Sequence, residues 1–436
     1  MYAYDKTDGS IRESNEPRRD DAPQKQAAAP RQSGVLRIVL TVLVVFIVIL
    51  ISVTALAMNG AQIPFLSTVT DNIANAFDRI ANQRSSSDAN SRGWIGGAPS
   101  ELMGSGGAWD GTEIRLPTLS LSYDASEETE FRLCGKYLVE CSRSSFYMLD
   151  KDGKEVFHKY VDFTKPNICN CGDFILASDL GGRSAFLLKN TKMVWEGTFN
   201  GSLYNASVNK NGYIALIIEM MGYRNSVKVI APIGKTLFDW VVADDYVISS
   251  EVAPSGNDFL INRLKTSGVS LCSSIEILNM NPEPYAKIDS VEGEVYLSAR
   301  YLDNNKVAIV TDKVLALYSD QAEPIMRKEF ESIMAMCEFP RGSATVAIQQ
   351  NNRALVMQYD AESPDGRVLY IAGLPVVNLS SDNGCLFINL GHEVIAINEK
   401  GVIISHLTLD SEVLYGSASE TYGVLAVTRK SADVYF

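Results

Sequence analysis

The residues best suited to chemistry in this chain are seven cysteines, three histidines and a scatter of carboxylates. Cys169-Asn170-Cys171 places two sulfurs on one face of an extended segment, because side chains alternate along a strand. Together with Cys134 or Cys141, that pair has the makings of a disulfide or a metal site. Zinc, however, takes four ligands, usually from C-x2-4-C spacing, and these cysteines do not keep it. Seven is an odd number, and Cys272, Cys337 and Cys385 also sit in or beside apolar runs. The expectation is therefore mostly buried free thiols and no complete disulfide framework.

His158, His392 and His406 fall at or near strand positions and are read as belonging to different repeat units. The chain has no Gly-x-Ser-x-Gly elbow, no His-Glu-x-x-His helix and no Gly-x4-Gly-Lys-Ser/Thr loop, so nucleophilic hydrolysis and nucleotide chemistry lose their usual markers. No catalytic, cofactor-binding or metal-ligating residue is assigned on this reading. Paired carboxylates for glycoside cleavage stay open, since a site assembled from separate repeats leaves no local spacing. Asn200, Asn205 and Asn378 each begin an Asn-x-Ser sequon, read as chance matches.

Net charge is −13. Residues 1–37 carry seven Lys/Arg against six Asp/Glu and residues 38–111 three against five, which leaves −12 for residues 112–436. A domain this acidic repels phosphate backbones, so nucleic acid is excluded as a partner.

From Ile38 to Met58 the chain reads IVLTVLVVFIVILISVTALAM without a charge, long enough to cross a bilayer as a helix. Ala55-Leu56-Ala57 resembles a signal-peptide cleavage site, but the apolar run and the tail before it are too long for one. Arg31 and Arg37 lie just before the span and no Lys or Arg follows until Arg79, which orients the N-terminus to the cytoplasm and the bulk outside. Residues 1–37 have too few apolar side chains to fold and form a disordered cytoplasmic tail. In residues 59–84, Ile63, Leu66, Val69, Ile73, Phe77 and Ile80 share one face of a predicted juxtamembrane helix. Three partners fit that face: the membrane interface, a second copy of the helix, and the underside of the following domain. Residues 85–111 are dense in Ser and Gly and read as a flexible linker.

Residues 112–436 repeat a unit of two apolar strands, a Gly/Asp/Asn/Pro turn and a further strand that often carries an aromatic. The first strands begin near Tyr137, Phe174, Ile214, Phe259, Val307, Val346, Leu386 and Val424, at intervals of 37 to 48 residues. Such a period, with several strands per unit, is the signature of propeller blades. The eighth unit stops at Phe436 without its outer strand, while Glu113 to Leu121 is an unassigned extended segment before the first full unit. Pairing between the two chain ends would close the ring and remove an exposed edge. The expected fold is all-β, a closed β-propeller of about eight four-stranded blades, with seven the alternative, preceded by one transmembrane helix.

Asn190-Thr191-Lys192-Met193-Val194-Trp195 and Gly234-Lys235-Thr236-Leu237-Phe238-Asp239-Trp240 resemble the turn and Trp-bearing strand of the quinoprotein-type (PQQ-like) repeat. Most units lack the Trp, and the chain lacks a vicinal cysteine pair, so the resemblance implies the fold and no bound quinone. The anchored layout also resembles a family of uncharacterised membrane-tethered propellers from Gram-positive, Clostridia-type bacteria, a domain of unknown function. The expectation is a non-enzymatic binding, scaffold or sensory module that engages an envelope protein or cell-wall polymer. The alternative is an extracytoplasmic carbohydrate-active enzyme using carboxylates in the central channel.

Overall fold

The computed structural model describes residues 116–124, 127–266, 270–280, 284–340, 342–350, 353–382, 384–420 and 423–435. The expected tail, span, juxtamembrane helix and linker all lie outside the described residues. No helix among the described residues is long and apolar enough to cross a membrane.

The described strands form eight four-stranded antiparallel sheets, each with its strands in spatial sequence from inner to outer. The second and third strands of each blade are the apolar runs read from the sequence, for example Ile214–Ile218 and Asn225–Ile230 in blade 3. The inner strands are Glu130–Cys134, Pro166–Cys171, Leu203–Val208, Tyr246–Val252, Ser298–Tyr301, Ser332–Glu338, Asn378–Asp382 and Tyr415–Ser419. Sequence reading did not locate these. The outer strands are Glu155–Tyr160, Lys192–Thr198, Thr236–Val242, Pro284–Asp289, Pro324–Glu329, Arg367–Ala372 and Ile403–Thr408 for blades 1 to 7.

Blade 8 takes its outer strand from the other end of the chain. Leu119–Ser122 pairs with Ser431–Tyr435 in the register Leu119↔Val434 to Ser122↔Ser431, the ring closure expected from the unpaired ends. Eight separate apolar clusters, one between each adjacent pair of blades, make up the core. The cluster between blades 8 and 1 joins Leu425, Val427 and Val434 to Phe131, Leu133 and Leu138. Because every blade is buried on both faces, its middle strands must be apolar at consecutive positions, which is why they read as unbroken runs.

Trp195 of the Trp-bearing motif lies against the turn of the next blade. A Cβ built on Gly234 would meet Trp195 Cδ1 at 2.6 Å, and Gly234 holds φ +86°, so this close approach and this backbone both need glycine. Among the described residues the cysteines form no disulfide, and five of the seven are buried. His158 lies on the outer strand of blade 1. The reading that the three histidines occupy different blades is corrected, because blade 7 runs from Asn378 to Thr408 and so contains both His392 and His406.

Connections between blades, and from second to third strand, emerge on one face of the ring. Turns from first to second and from third to outer strand emerge on the other. The strand Leu119–Ser122 begins on this second face, beside Val434, and Leu119 touches the Gly153 turn of blade 1. The chain therefore reaches the ring at what is here called the proximal face, and the opposite face is distal.

Candidate functional site

Two parts of the ring concentrate chemistry, the central channel and a patch on the distal face. The inner strands bring charged residues to the channel that are far apart in sequence: Glu130 and Arg132 from blade 1, Glu251 from blade 4, Glu338 from blade 6 and Asp382 from blade 7. Asn170 of blade 2 donates from Nδ2 to Asp382 Oδ1 at 3.0 Å. Blades 2 and 7 are not neighbours, so this hydrogen bond crosses the channel.

Each of these carboxylates is engaged by a donor of the protein. Glu130 accepts from the backbone N–H of Ile168 in the next blade and meets Arg132 Nη2 at 3.4 Å. Glu251 accepts from the Tyr301 N–H at 3.3 Å, and Glu338 from the Gly342 N–H at 3.1 Å. Burial works against the charge on Arg132, but Glu130 and Asp382 outweigh it and raise its pKa above the ordinary value. Its side chain, on the inner strand of blade 1, is 24% accessible. Burial raises the Asp382 carboxyl, with Arg132 and the Asn170 bond opposing. Arg132 Nε and Asn170 Oδ1 are buried without a partner.

Glu251 is pushed up to about 7, first by burial, against the pull of Arg300, with Glu338 adding to the rise and the Tyr301 N–H opposing it. A folded-state pKa above the unfolded one favours folding below the unfolded value, and that stability is lost as pH rises through about 7. Glu251→Gln is accordingly expected to melt like the wild type near pH 5 and above it near pH 8. The gain is on the order of 1–2 kcal/mol after allowing for solvent in the channel, or a few degrees for a domain of this size. Melting curves at the two pH values check this; an equal or lower melting temperature for the variant at pH 8 contradicts it.

Among the described residues no group of three or more His, Cys, Asp or Glu is placed to hold a metal ion. Cys169 is buried and donates its thiol to the Ala206 carbonyl at 3.2 Å, while Cys171 is half-buried at the end of the same strand. Burial pushes the thiols of Cys134 and Cys141 well above the usual range and that of Cys337 to about 12. Thiols held in the neutral form are poor nucleophiles and poor metal ligands.

The distal patch is built on blades 3 and 4. The connection between Ile214–Ile218 and Asn225–Ile230 reads Glu-Met-Met-Gly-Tyr-Arg. It projects Met221, 97% exposed, and Tyr223, 56% exposed, with Tyr204 at 52% on the inner strand of the same blade. Gly222 holds φ +83° at the tip, and backbone bonds from Glu219 N to Ser202 O, Tyr223 N to Met220 O and Arg224 N to Val242 O fix the loop at both ends. Arg224 donates from Nη1 to the Tyr246 hydroxyl at 2.9 Å and lies 4.9 Å over that ring, which ties blade 3 to the start of blade 4. Burial, then Glu219 and Tyr246, raise the Tyr204 hydroxyl, in keeping with one contiguous cluster. Large apolar and aromatic groups exposed on a loop of fixed backbone have the composition of a binding hot spot. The signal was in the sequence: the equivalent connections of blades 1, 2, 5 and 7 read Ser-Arg-Ser, Leu-Gly-Gly-Arg, Thr-Asp-Lys and Leu-Gly-His, without the Met and Tyr.

A family model described as "Family of unknown function (DUF5711)" matches residues 118–415. No curated protein matches the sequence. Among solved structures, the C-terminal WD40 domain of Sif2 superposes with a TM-score of 0.55 at 11% identity, covering 75% of this chain and 99% of that one. Sqt1 from Chaetomium thermophilum gives 0.49 at 12% identity over 72% of this chain and 98% of its own. A protein of unknown function from Bacteroides caccae gives 0.35 at 15% identity over 54% of this chain and 93% of its own. At 11% identity, the likeness to Sif2 speaks for a WD40-like β-propeller fold alone.

Proposed function

We propose a role from the surface of the ring itself, because the chain belongs to DUF5711, a family of unknown function. The propeller acts as a non-enzymatic binding or scaffold module of the cell envelope and engages its partner through the distal patch of Tyr204, Met221, Tyr223 and Arg224. The carrying observation is the exposure of that patch on the face opposite the one at which the chain reaches the ring. The uncharged run Ile38–Met58 and the arginines before it support anchoring in the membrane with the propeller outside. The Ser/Gly-rich residues 85–111 then tether a rigid disc whose distal face is free to meet envelope proteins or polymers at high effective concentration.

A second reading rests on Glu251. A channel carboxyl with a pKa of about 7 suits a general acid, so glycan hydrolysis in the channel is the alternative. The engagement of Glu130, Glu338 and Asp382 by hydrogen bonds within and between blades favours a structural role for the set.

Chemical crosslinking in cells, with the purified domain 112–436 added as competitor, separates the two. The wild-type domain and Glu251→Gln are expected to compete equally. Met221→Ala combined with Tyr223→Ala should compete at least about tenfold less well, the effect of losing one or two hot-spot contacts. Glycan turnover abolished by Glu251→Gln, with crosslinking indifferent to the patch, would overturn the binding reading.

A further inference from the structure

The proximal face differs in charge from the rest of the ring. Its turns on blades 1 to 3 carry Lys151, Lys154, Lys189, Lys192, Lys210 and Lys235, all exposed, with Lys136 beside them, against Asp152, Glu155 and Asp173 as exposed carboxylates. Among the described residues only Lys151 of these lysines forms an ion pair, with Asp152 at 3.4 Å. This positive area stands out on a domain whose sequence carries −12. Exposed apolar side chains lie among the lysines: Ile233, 85% exposed, at the tip of the Ala231-Pro232-Ile233-Gly234 turn, and Met193 beside Lys192 at the start of the outer strand of blade 2. Gly234 packs on Trp195 of blade 2, so the Ile233 turn and the Met193 strand are adjacent.

We infer that the proximal face of blades 1 to 3 rests on an anionic lipid surface. Exposed lysines of which only Lys151 has a carboxylate partner among the described residues match the charge of acidic headgroups, and each one near such a surface strengthens binding about fivefold. Ile233 and Met193 are placed to enter the headgroup boundary, as apolar groups between basic ones do on membrane-surface helices. The first described strand also begins on this face, at Leu119. The same face on blades 5 and 6 carries Asp303, Asp320, Glu323, Asp360, Glu362 and Asp365; Asp303 pairs with Lys306 and Asp365 with Lys328, each at 3.2 Å, and the other carboxylates would tilt the disc so that only its basic half makes contact. The inference is independent of the distal patch, and a tilted disc leaves that patch pointing away from the membrane.

The test uses purified residues 112–436, whose described strands form a closed ring with a core of their own, and needs no span. The domain is sedimented with phosphatidylcholine vesicles and with vesicles containing roughly one-third phosphatidylglycerol. It is expected to follow only the anionic vesicles and to be released by added salt. Combined Lys151→Glu, Lys154→Glu, Lys192→Glu and Lys235→Glu should weaken this by more than about tenfold, and Ile233→Ser alone by a few fold, with unchanged melting temperatures. Tyr223→Ala, on the other face, should bind as the wild type. Equal affinity for neutral vesicles, or no loss on charge reversal, would overturn the inference. So would indifference to Ile233→Ser with equally tight binding of a soluble polyanion, which would assign the lysines to a polymer.

Discussion

A domain that begins after Ser122, or ends before Ser431, is expected to melt roughly 7 °C below the intact ring. Leu119–Ser122 and Ser431–Tyr435 lie more than 300 residues apart in sequence and make the one pairing that joins the ends of the described chain. Without either, blade 8 loses a strand and exposes a row of unpaired backbone groups. Thr118 N also donates to Val434 O at 2.8 Å, and the Tyr123 hydroxyl to Thr428 O. Leu119 and Leu121 pack on the cluster that joins blade 8 to blade 1, so their loss opens the apolar seam that closes the ring. Two partly buried leucines contribute about 1–1.5 kcal/mol each. The ladder and the opened seam bring the total to roughly 5 kcal/mol, which is roughly 7 °C for a domain of this length. Calorimetry of residues 112–436 beside the two truncations reads this directly. A truncated form that melts within a degree or two of the intact one would mean that the end strand is an ornament to a ring held by its other seams.

The second large effect is expected at Arg263. Its guanidinium meets Asp245 Oδ2 at 3.0 Å and Glu276 Oε1 at 2.8 Å, with all three side chains at 15% exposure or less. It also lies 5.6 Å over the ring of Trp240 on the outer strand of blade 3. Asp245 stands just before the inner strand of blade 4, while Arg263 and Glu276 lie on its second and third strands, so one cation holds two carboxylates and the neighbouring blade together. Arg263→Met keeps the aliphatic packing and leaves two buried carboxylates without a counter-charge, a loss of about 3–5 kcal/mol. Adding Asp245→Asn and Glu276→Gln removes the unpaired charges and should recover most of that loss. Denaturant unfolding of the single and triple variants separates the two contributions. A single variant within about 1 kcal/mol of wild type, or a triple variant no better than the single, would show that the pairing is incidental to the seam.

The blade count was legible because the second and third strands are covered on both sides. A segment such as Ile214–Ile218 has no wet face, so its side chains are apolar at every position and its spacing can be read directly. The same burial made the missing outer strand of blade 8 visible as an imbalance between the chain ends. Inner strands were not legible, since one side faces the channel. Glu130, Arg132, Asn170, Glu251, Glu338 and Asp382 interrupt any apolar pattern there, and strands of four to seven residues leave little pattern to interrupt. The channel chemistry sits on those strands, so its constellation was hidden with them, and it draws on blades 1, 2, 4, 6 and 7. Met220, Met221 and Tyr223 were readable as an apolar connection where other blades place small or charged residues. What marks them as a site is exposure, which strand periodicity does not report. The juxtamembrane face formed by Ile63 to Ile80 lies outside the described residues.

The most direct test of the binding account is the position dependence of a crosslink made in living cells. A photoreactive residue is placed in the full chain at position 223 on the distal face, at position 233 on the proximal face, or at position 300 on the inner strand of blade 5. The account predicts one reproducible protein or polymer adduct from position 223. Purified wild-type 112–436 should compete that adduct away, and the domain carrying Met221→Ala and Tyr223→Ala should not. The same adduct arising equally from position 233, or a partner captured from position 300 alone, would contradict it.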